Sequence, residues 1–137
     1  MTKRVTGLGG IMFKVKNPQQ SRDWYRKHLG IESESWGAVF KWREFEHPER
    51  EAYSVWSPSS EQSDYFAPST HSYMINYRVE NLDALLESLR AEGIEPVGTP
   101  ESNEFGKFAW ILDPDGSKIE LWEPPANEEN SNSAGQG

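Results

Sequence analysis

An internal repeat constrains the fold of this 137-residue chain more than any other feature. Gly9-Gly10-Ile11-Met12-Phe13-Lys14-Val15-Lys16-Asn17 resembles Tyr73-Met74-Ile75-Asn76-Tyr77-Arg78-Val79-Glu80-Asn81, at an offset of 64 residues. Both runs are strand-like, end in Asn and lead into a helical stretch. Those stretches close on Leu29-Gly30-Ile31-Glu32 and Glu92-Gly93-Ile94-Glu95, at an offset of 63. The ends of the halves also match, Tyr53-Ser54-Val55-Trp56-Ser57-Pro58 against Ile119-Glu120-Leu121-Trp122-Glu123-Pro124. Two copies are too few to stack as a solenoid. They are expected to pair as pseudo-symmetric halves of one domain, with a ligand cleft between them.

Local patterns fill in each half. Ile11, Phe13 and Val15 alternate with Met12 and Lys14, the period of a half-buried strand. Asn17-Pro18 supplies an N-cap and a first helical position, and the helix is expected over 18–29, ending at Gly30. Ala38 to Arg43 and Tyr53 to Trp56 read as strands joined by a charged hairpin. Residues 57–72, polar and carrying Pro58 and Pro68, read as the linker. Ile75, Tyr77 and Val79 repeat the first alternation. Asn81 caps a second helix, expected over 82–92, with Leu82, Leu85, Leu86 and Leu89 on one face. Phe105 to Leu112 and Ser117 to Trp122 are strands around the turn Asp113-Pro114-Asp115-Gly116. An extra strand is expected near Glu95 to Gly98. The arrangement is α+β: two βαββ(β) modules, about 5–60 and 70–125, in a single domain over 1–125, with a disordered tail over 126–137.

Composition excludes several function classes. The chain has no cysteine, so thiolate zinc sites and thiol nucleophiles are absent. The net charge of -8 opposes phosphate backbones and anionic lipid, so neither nucleic acid nor membrane is an expected partner. No apolar signal segment is visible at the start, and the longest apolar run is Phe108 to Leu112, which gives a cytoplasmic protein as the expectation. Six tryptophans are many for this length. They serve as pocket walls, as an interface or as ordinary core.

The segment Phe108-Ala109-Trp110-Ile111-Leu112-Asp113-Pro114-Asp115-Gly116-Ser117-Lys118-Ile119-Glu120-Leu121-Trp122-Glu123-Pro124, with Val15-Lys16-Asn17, Trp24-Tyr25 and Leu29-Gly30-Ile31, resembles the glyoxalase / bleomycin-resistance / extradiol-dioxygenase superfamily, the vicinal oxygen chelate proteins. The resemblance covers about Val5 to Pro125. It implies two modules whose sheets form a U-shaped open barrel cleft, commonly completed by a homodimer. It also implies a divalent metal held by His, Gln or Glu on the first and last strands of each module. Those positions fall on Gly10, Ser54, Met74 and Glu120, and only Glu120 matches the ligand type. A shift of register would bring in His71. The resulting expectation is no metal and no cofactor, a divalent ion entering only if the chain is an enzyme.

Strand parity gives the cleft. If Ile11, Phe13 and Val15 face the helix, then Gly10, Met12 and Lys14 face the cleft, with Met74, Asn76 and Arg78, and with Phe108, Trp110 and Leu112. Ser54 and Trp56 follow from their match to Glu120 and Trp122. The expected ligand-binding residues are Lys14, Trp56, Met74, Asn76, Arg78, Trp110, Glu120 and Trp122. Lys14 and Arg78 read either as an anion clamp or as solvated rim; Glu120 reads as a ligand contact or as a structural ion pair. Three functions stay open. The first is a metal-free small-molecule-binding protein, its ligand planar and bearing a negative or polar group. The second is a lyase, isomerase or dioxygenase relative using Glu120 as catalytic base. The third is an interaction module whose cleft only builds a dimer.

Overall fold

The computed structural model describes residues 4–126, and the expected tail over 126–137 lies almost wholly outside them. Nine elements follow in order: β1 (Val5–Val15), α1 (Pro18–Leu29), β2 (Ala38–Arg43), β3 (Glu51–Ser60), β4 (Tyr73–Val79), α2 (Leu82–Ala91), β5 (Glu101–Asn103), β6 (Gly106–Leu112) and β7 (Lys118–Glu123). Both helices start as the sequence dictates. The Asn17 side chain accepts from the Gln20 amide at 3.0 Å, and the Asn81 side chain from the Ala84 amide at 3.0 Å. At the predicted turn, the Asp113 carboxylate accepts from the amides of Asp115 and Ser117, both at 2.9 Å.

The strands form one open sheet in the order β2-β3-β1-β4-β7-β6-β5. Antiparallel β1 and β4 meet at its centre; outward from them, β1 pairs parallel with β3 and β4 parallel with β7. Read outward from that junction, β1-β3-β2 matches β4-β7-β6, with β5 an additional edge strand, which is the repeat expressed as topology. The sheet curls, leaving one face convex under the helices and the other concave.

The halves are packed unequally. Leu82, Leu85, Leu86 and Leu89 of α2 are all buried against Val79, Ala109 and Leu121, with Tyr77, Ile111 and Ile119 at the margin. Helix α1 buries no residue; Tyr25 rests on Trp56, ring centroids 4.9 Å apart, and Phe13 lies beside both. The core thus sits under α2, because only that helix carries leucines at i, i+3, i+4 and i+7.

Two sequence expectations shift. β3 continues to Ser60, since Phe13, Lys14 and Val15 extend the parallel ladder along Pro58, Ser59 and Ser60, so the linker begins later than expected. The extra strand of the second half lies at 101–103 rather than 95–98; at 95–98 the Val97 amide makes a single contact, to the Trp110 carbonyl at 2.7 Å.

Candidate functional site

The concave face carries the alternation read from the sequence for β4, β6 and β7: Met74, Asn76 and Arg78 lie there with Phe108, Trp110, Glu120 and Trp122. β3 departs from it. Met12 stands opposite Ser57 on β3 as Asn76 stands opposite Glu120 on β7, so the structural partner of Glu120 is Ser57, not Ser54. The sequence match aligned the two tryptophans and slid the strand by three positions. An odd slip reverses every side chain. Trp56 is accordingly not a cleft wall: it packs on Phe13 and Tyr25 beneath α1, as Ile119 packs beneath α2. Tyr53 and Val55 line the cleft in its place.

Between the halves lies a cleft of about 490 Å³, with walls that include Trp36, Tyr53, Val55, Phe105, Phe108 and Trp122. Its floor is the β1–β4–β7 seam, where Gly9, Asn76 and Glu120 meet. A bulge in β1 between Leu8 and Gly10 turns Gly9 toward the concave face. A Cβ on Gly9 would stand 1.9 Å from Oδ1 of Asn76, and one on Gly10 would stand 2.0 Å from the Val55 carbonyl oxygen. Both glycines are thus set by close approach, one of a side chain and one of a backbone. A larger hollow of about 870 Å³ opens at the β2–β3 hairpin, but its walls are mainly charged residues such as Arg43, Glu44, Arg50 and Glu51, paired among themselves near 4 Å.

Glu120 is the polar centre, 5% exposed. Oε1 accepts from Nδ2 of Asn76 at 2.6 Å. Oε2 accepts from Nε1 of Trp110 at 3.0 Å and from the hydroxyl of Tyr65. Burial, with the nearby Glu120 charge adding to it, holds the Tyr65 phenol well above its ordinary range, so it stays a donor. Oδ1 of Asn76 is buried and has no hydrogen-bond partner.

Tyr65 and its neighbour come from the segment between the halves, which folds back over the concave face. Phe66, 1% exposed, fills the space against Met74 and Trp110, with Met12, Val97 and Phe108 around it. The sequence reading treated this segment as linker only. The available signal was two adjacent aromatic rings in an otherwise polar stretch, which must find apolar cover.

The expected ligand-binding residues therefore separate. Asn76, Glu120 and Trp122 line the cleft. Met74 is 0% exposed beneath Phe66. Trp110 is buried, its ring edge-on to Tyr65. Lys14 holds its ammonium 5.1 Å from the centre of the Phe66 ring, outside the cleft lining. Arg78 is 5% exposed, donates to the Tyr53 carbonyl at 3.0 Å and lies between the Trp42 and Trp122 rings. Neither basic residue lines the cleft, so of the two readings of Lys14 and Arg78 the anion clamp is not formed there, and Arg78 is buried rather than a solvated rim residue. Leu112 is 39% exposed at a strand end.

The donor set does not fit a resident divalent ion. The four family positions, corrected for register, hold Gly10, Ser57, Met74 and Glu120. Ser57 donates its hydroxyl to the Trp36 carbonyl at 2.7 Å, Met74 is covered, and Glu120 already accepts three hydrogen bonds. His71 is engaged with Ser117 at 2.5 Å and stacks on Tyr73. No group of three or more His, Cys, Asp or Glu side chains is placed to hold a metal among the described residues.

Residues 7–121 match the Glyoxalase/Bleomycin resistance protein/Dioxygenase superfamily, and the chain belongs to that superfamily. No curated protein matches it by sequence. Among solved structures, methylmalonyl-CoA epimerase from Mycobacterium tuberculosis superposes with a TM-score of 0.60 at 20% identity, over 95% of each chain. A variant of Streptomyces coelicolor methylmalonyl-CoA epimerase in complex with 2-nitronate-propionyl-CoA gives 0.62 at 17% identity, covering 89% of this chain and 99% of that one. The Mn(II)-bound glyoxalase from Novosphingobium aromaticivorans gives 0.58 at 18% identity, over 89% of this chain and 40% of that one. At these identities the likeness is one of fold. No helix among the described residues is long and apolar enough to cross a membrane.

Proposed function

We propose that this chain is a small-molecule-binding member of its superfamily that works without a metal ion, and that it acts as a homodimer. The observation that carries the reading is the state of Glu120. The one family ligand position of matching type is engaged by three neutral donors, Tyr65, Trp110 and Asn76 of the same chain, while an apolar cleft of about 490 Å³ opens beside it. A volume of that size with aromatic walls and few polar points suits a drug-sized molecule. Catalysis by Glu120 as a base has less support, because Oε2 carries two donors and Tyr65 lies over it.

Thermal unfolding in the presence of EDTA tests the reading. Flat aromatic compounds are expected to raise the midpoint without any added ion, since a ligand at a hundred times its Kd adds about 2.7 kcal/mol. Stabilisation that appears only on adding manganese, nickel or zinc would refute it.

A further inference from the structure

The charge pattern of the cleft specifies its ligand more narrowly. Five aromatic rings line it, those of Trp36, Tyr53, Phe105, Phe108 and Trp122, and no described lining residue is basic. Its one charged lining group is Glu120, whose hydrogen-bond partners are all neutral: a phenol, an indole and an amide.

Acceptor capacity is left over at the floor. A carboxylate offers roughly four acceptor sites, two on each oxygen. Oε2 uses two and Oε1 uses one. Next to Oε1 lies Oδ1 of Asn76, buried and without a partner. The amide orientation follows from chemistry, because the reverse would set two acceptors against each other. Oδ1 of Asn76 is packed against Gly9, so the acceptor site left on the cleft floor is the one on Oε1 of Glu120, and it belongs to an anion.

The basic residues that flank Glu120 and Asn76 along their strands share the same face but are held outside the cleft lining, Lys118 within electrostatic reach of Glu120. Lys118, two positions before Glu120, donates to the Tyr65 carbonyl at 2.6 Å and lies over the outer rings of Tyr65 and Trp110. Arg78, two positions after Asn76, lies against Trp122, and neither contributes to the cleft lining. A buried carboxylate in an aromatic-lined cleft with no basic lining residue attracts positive charge, and a ring face that the cation reaches adds to it. The net charge of -8 adds long-range attraction of the same sign.

We infer that the cleft takes an organic cation: a flat apolar body bearing a protonated amine or amidine, its N–H directed at Oε1 of Glu120. This rests on the small-molecule reading above and departs from the negative or polar group expected from the sequence, whose negative form depended on Lys14 or Arg78 facing the cleft.

Three matched probes test it by calorimetric titration: 2-naphthylmethylammonium, 2-naphthylmethanol and 2-naphthylacetate. The ammonium is expected to bind at least about tenfold more tightly than the alcohol, and the carboxylate most weakly. Glu120→Gln should remove most of that preference, lowering affinity for the ammonium more than for the alcohol. Should that variant fail to fold, the ranking on the parent chain still decides, and Trp36→Leu at the cleft mouth should weaken the ammonium more than the alcohol. Equal binding of alcohol and ammonium, or tighter binding of the carboxylate, overturns the inference while leaving a small-molecule cleft in place. A preference for the ammonium that survives intact in Glu120→Gln also overturns it. Absence of binding by all three probes at millimolar concentration overturns the inference and the small-molecule reading together.

Discussion

The hydroxyl of Tyr65, on the segment joining the two halves, donates to the carboxylate of Glu120 on the last strand. Fifty-five positions separate them in sequence. The bond ties the joining segment across the concave face beside the cleft, whose walls come from both halves. Hydrogen bonds to a charged acceptor contribute about 1.5–3 kcal/mol. With Tyr65 partly exposed, Tyr65→Phe is expected to cost nearer 1 kcal/mol in chemical denaturation. An unchanged midpoint would show that the strap is held by Phe66 alone.

The same pair sets a pH dependence. The Tyr65 phenol is raised in the folded state, chiefly by burial. A raised group contributes stability that is full below its unfolded value of 10.0 and is lost as pH climbs above it, where the unfolded chain ionises first. Lys118 works in the opposite sense, since burial lowers its amine, and its cost is relieved as pH rises. The difference in unfolding free energy between parent and Tyr65→Phe isolates the tyrosine. That difference should shrink between pH 9 and 11; a constant difference would contradict the assignment.

Gly9 is a packing prediction. The Oδ1 atom of Asn76 occupies the space its Cβ would need, and Trp122 stands 3.1 Å from the same point. Gly9→Ala is expected to cost about 1–3 kcal/mol and to weaken cleft ligands, because Asn76 must move off the floor. Wild-type stability together with wild-type affinity would show that the floor is loose.

The two helices should respond differently to truncation. Leu82 is 1% exposed, so Leu82→Ala is expected to cost about 2–5 kcal/mol. Trp24 on α1 is largely exposed, so Trp24→Ala should change the stability of the single chain by less than about 1 kcal/mol. The open apolar surface of α1, Trp24 and Leu29, is compatible with pairing of two chains. Light scattering at tens of micromolar is expected to give twice the chain mass of 15.7 kDa; the single mass would count against the dimer.

Much of this architecture was legible in the residues. Asn17 and Asn81 mark both helix starts because an Asn oxygen satisfies an amide that the first turn leaves free. The alternation of β4, β6 and β7 assigns Asn76, Glu120 and Trp122 to the concave face because the side-chain period of a strand is two. The place of Trp56 is not legible in the same way, because its likeness to Trp122 in sequence does not set register, whereas the backbone ladder of β1 with β3 does. Tyr65 and Phe66 are not legible as site residues because where a segment without periodicity folds back depends on cover supplied by distant strands. The basic residues Lys14 and Arg78 lie on the expected face, but parity does not say that one would sit over Phe66 and the other between two indoles.

The most direct test of a metal-free cleft is the set of tryptophan indole N–H resonances, followed while 2-naphthylmethylammonium is titrated into EDTA-treated protein. Trp36 and Trp122 line the cleft, whereas Trp24 and Trp56 lie on or beneath α1. Saturable shifts of Trp36 and Trp122, with Trp24 and Trp56 unmoved, are the predicted result. Shifts confined to Trp24 and Trp56, or shifts at the cleft that require an added divalent ion, would contradict it.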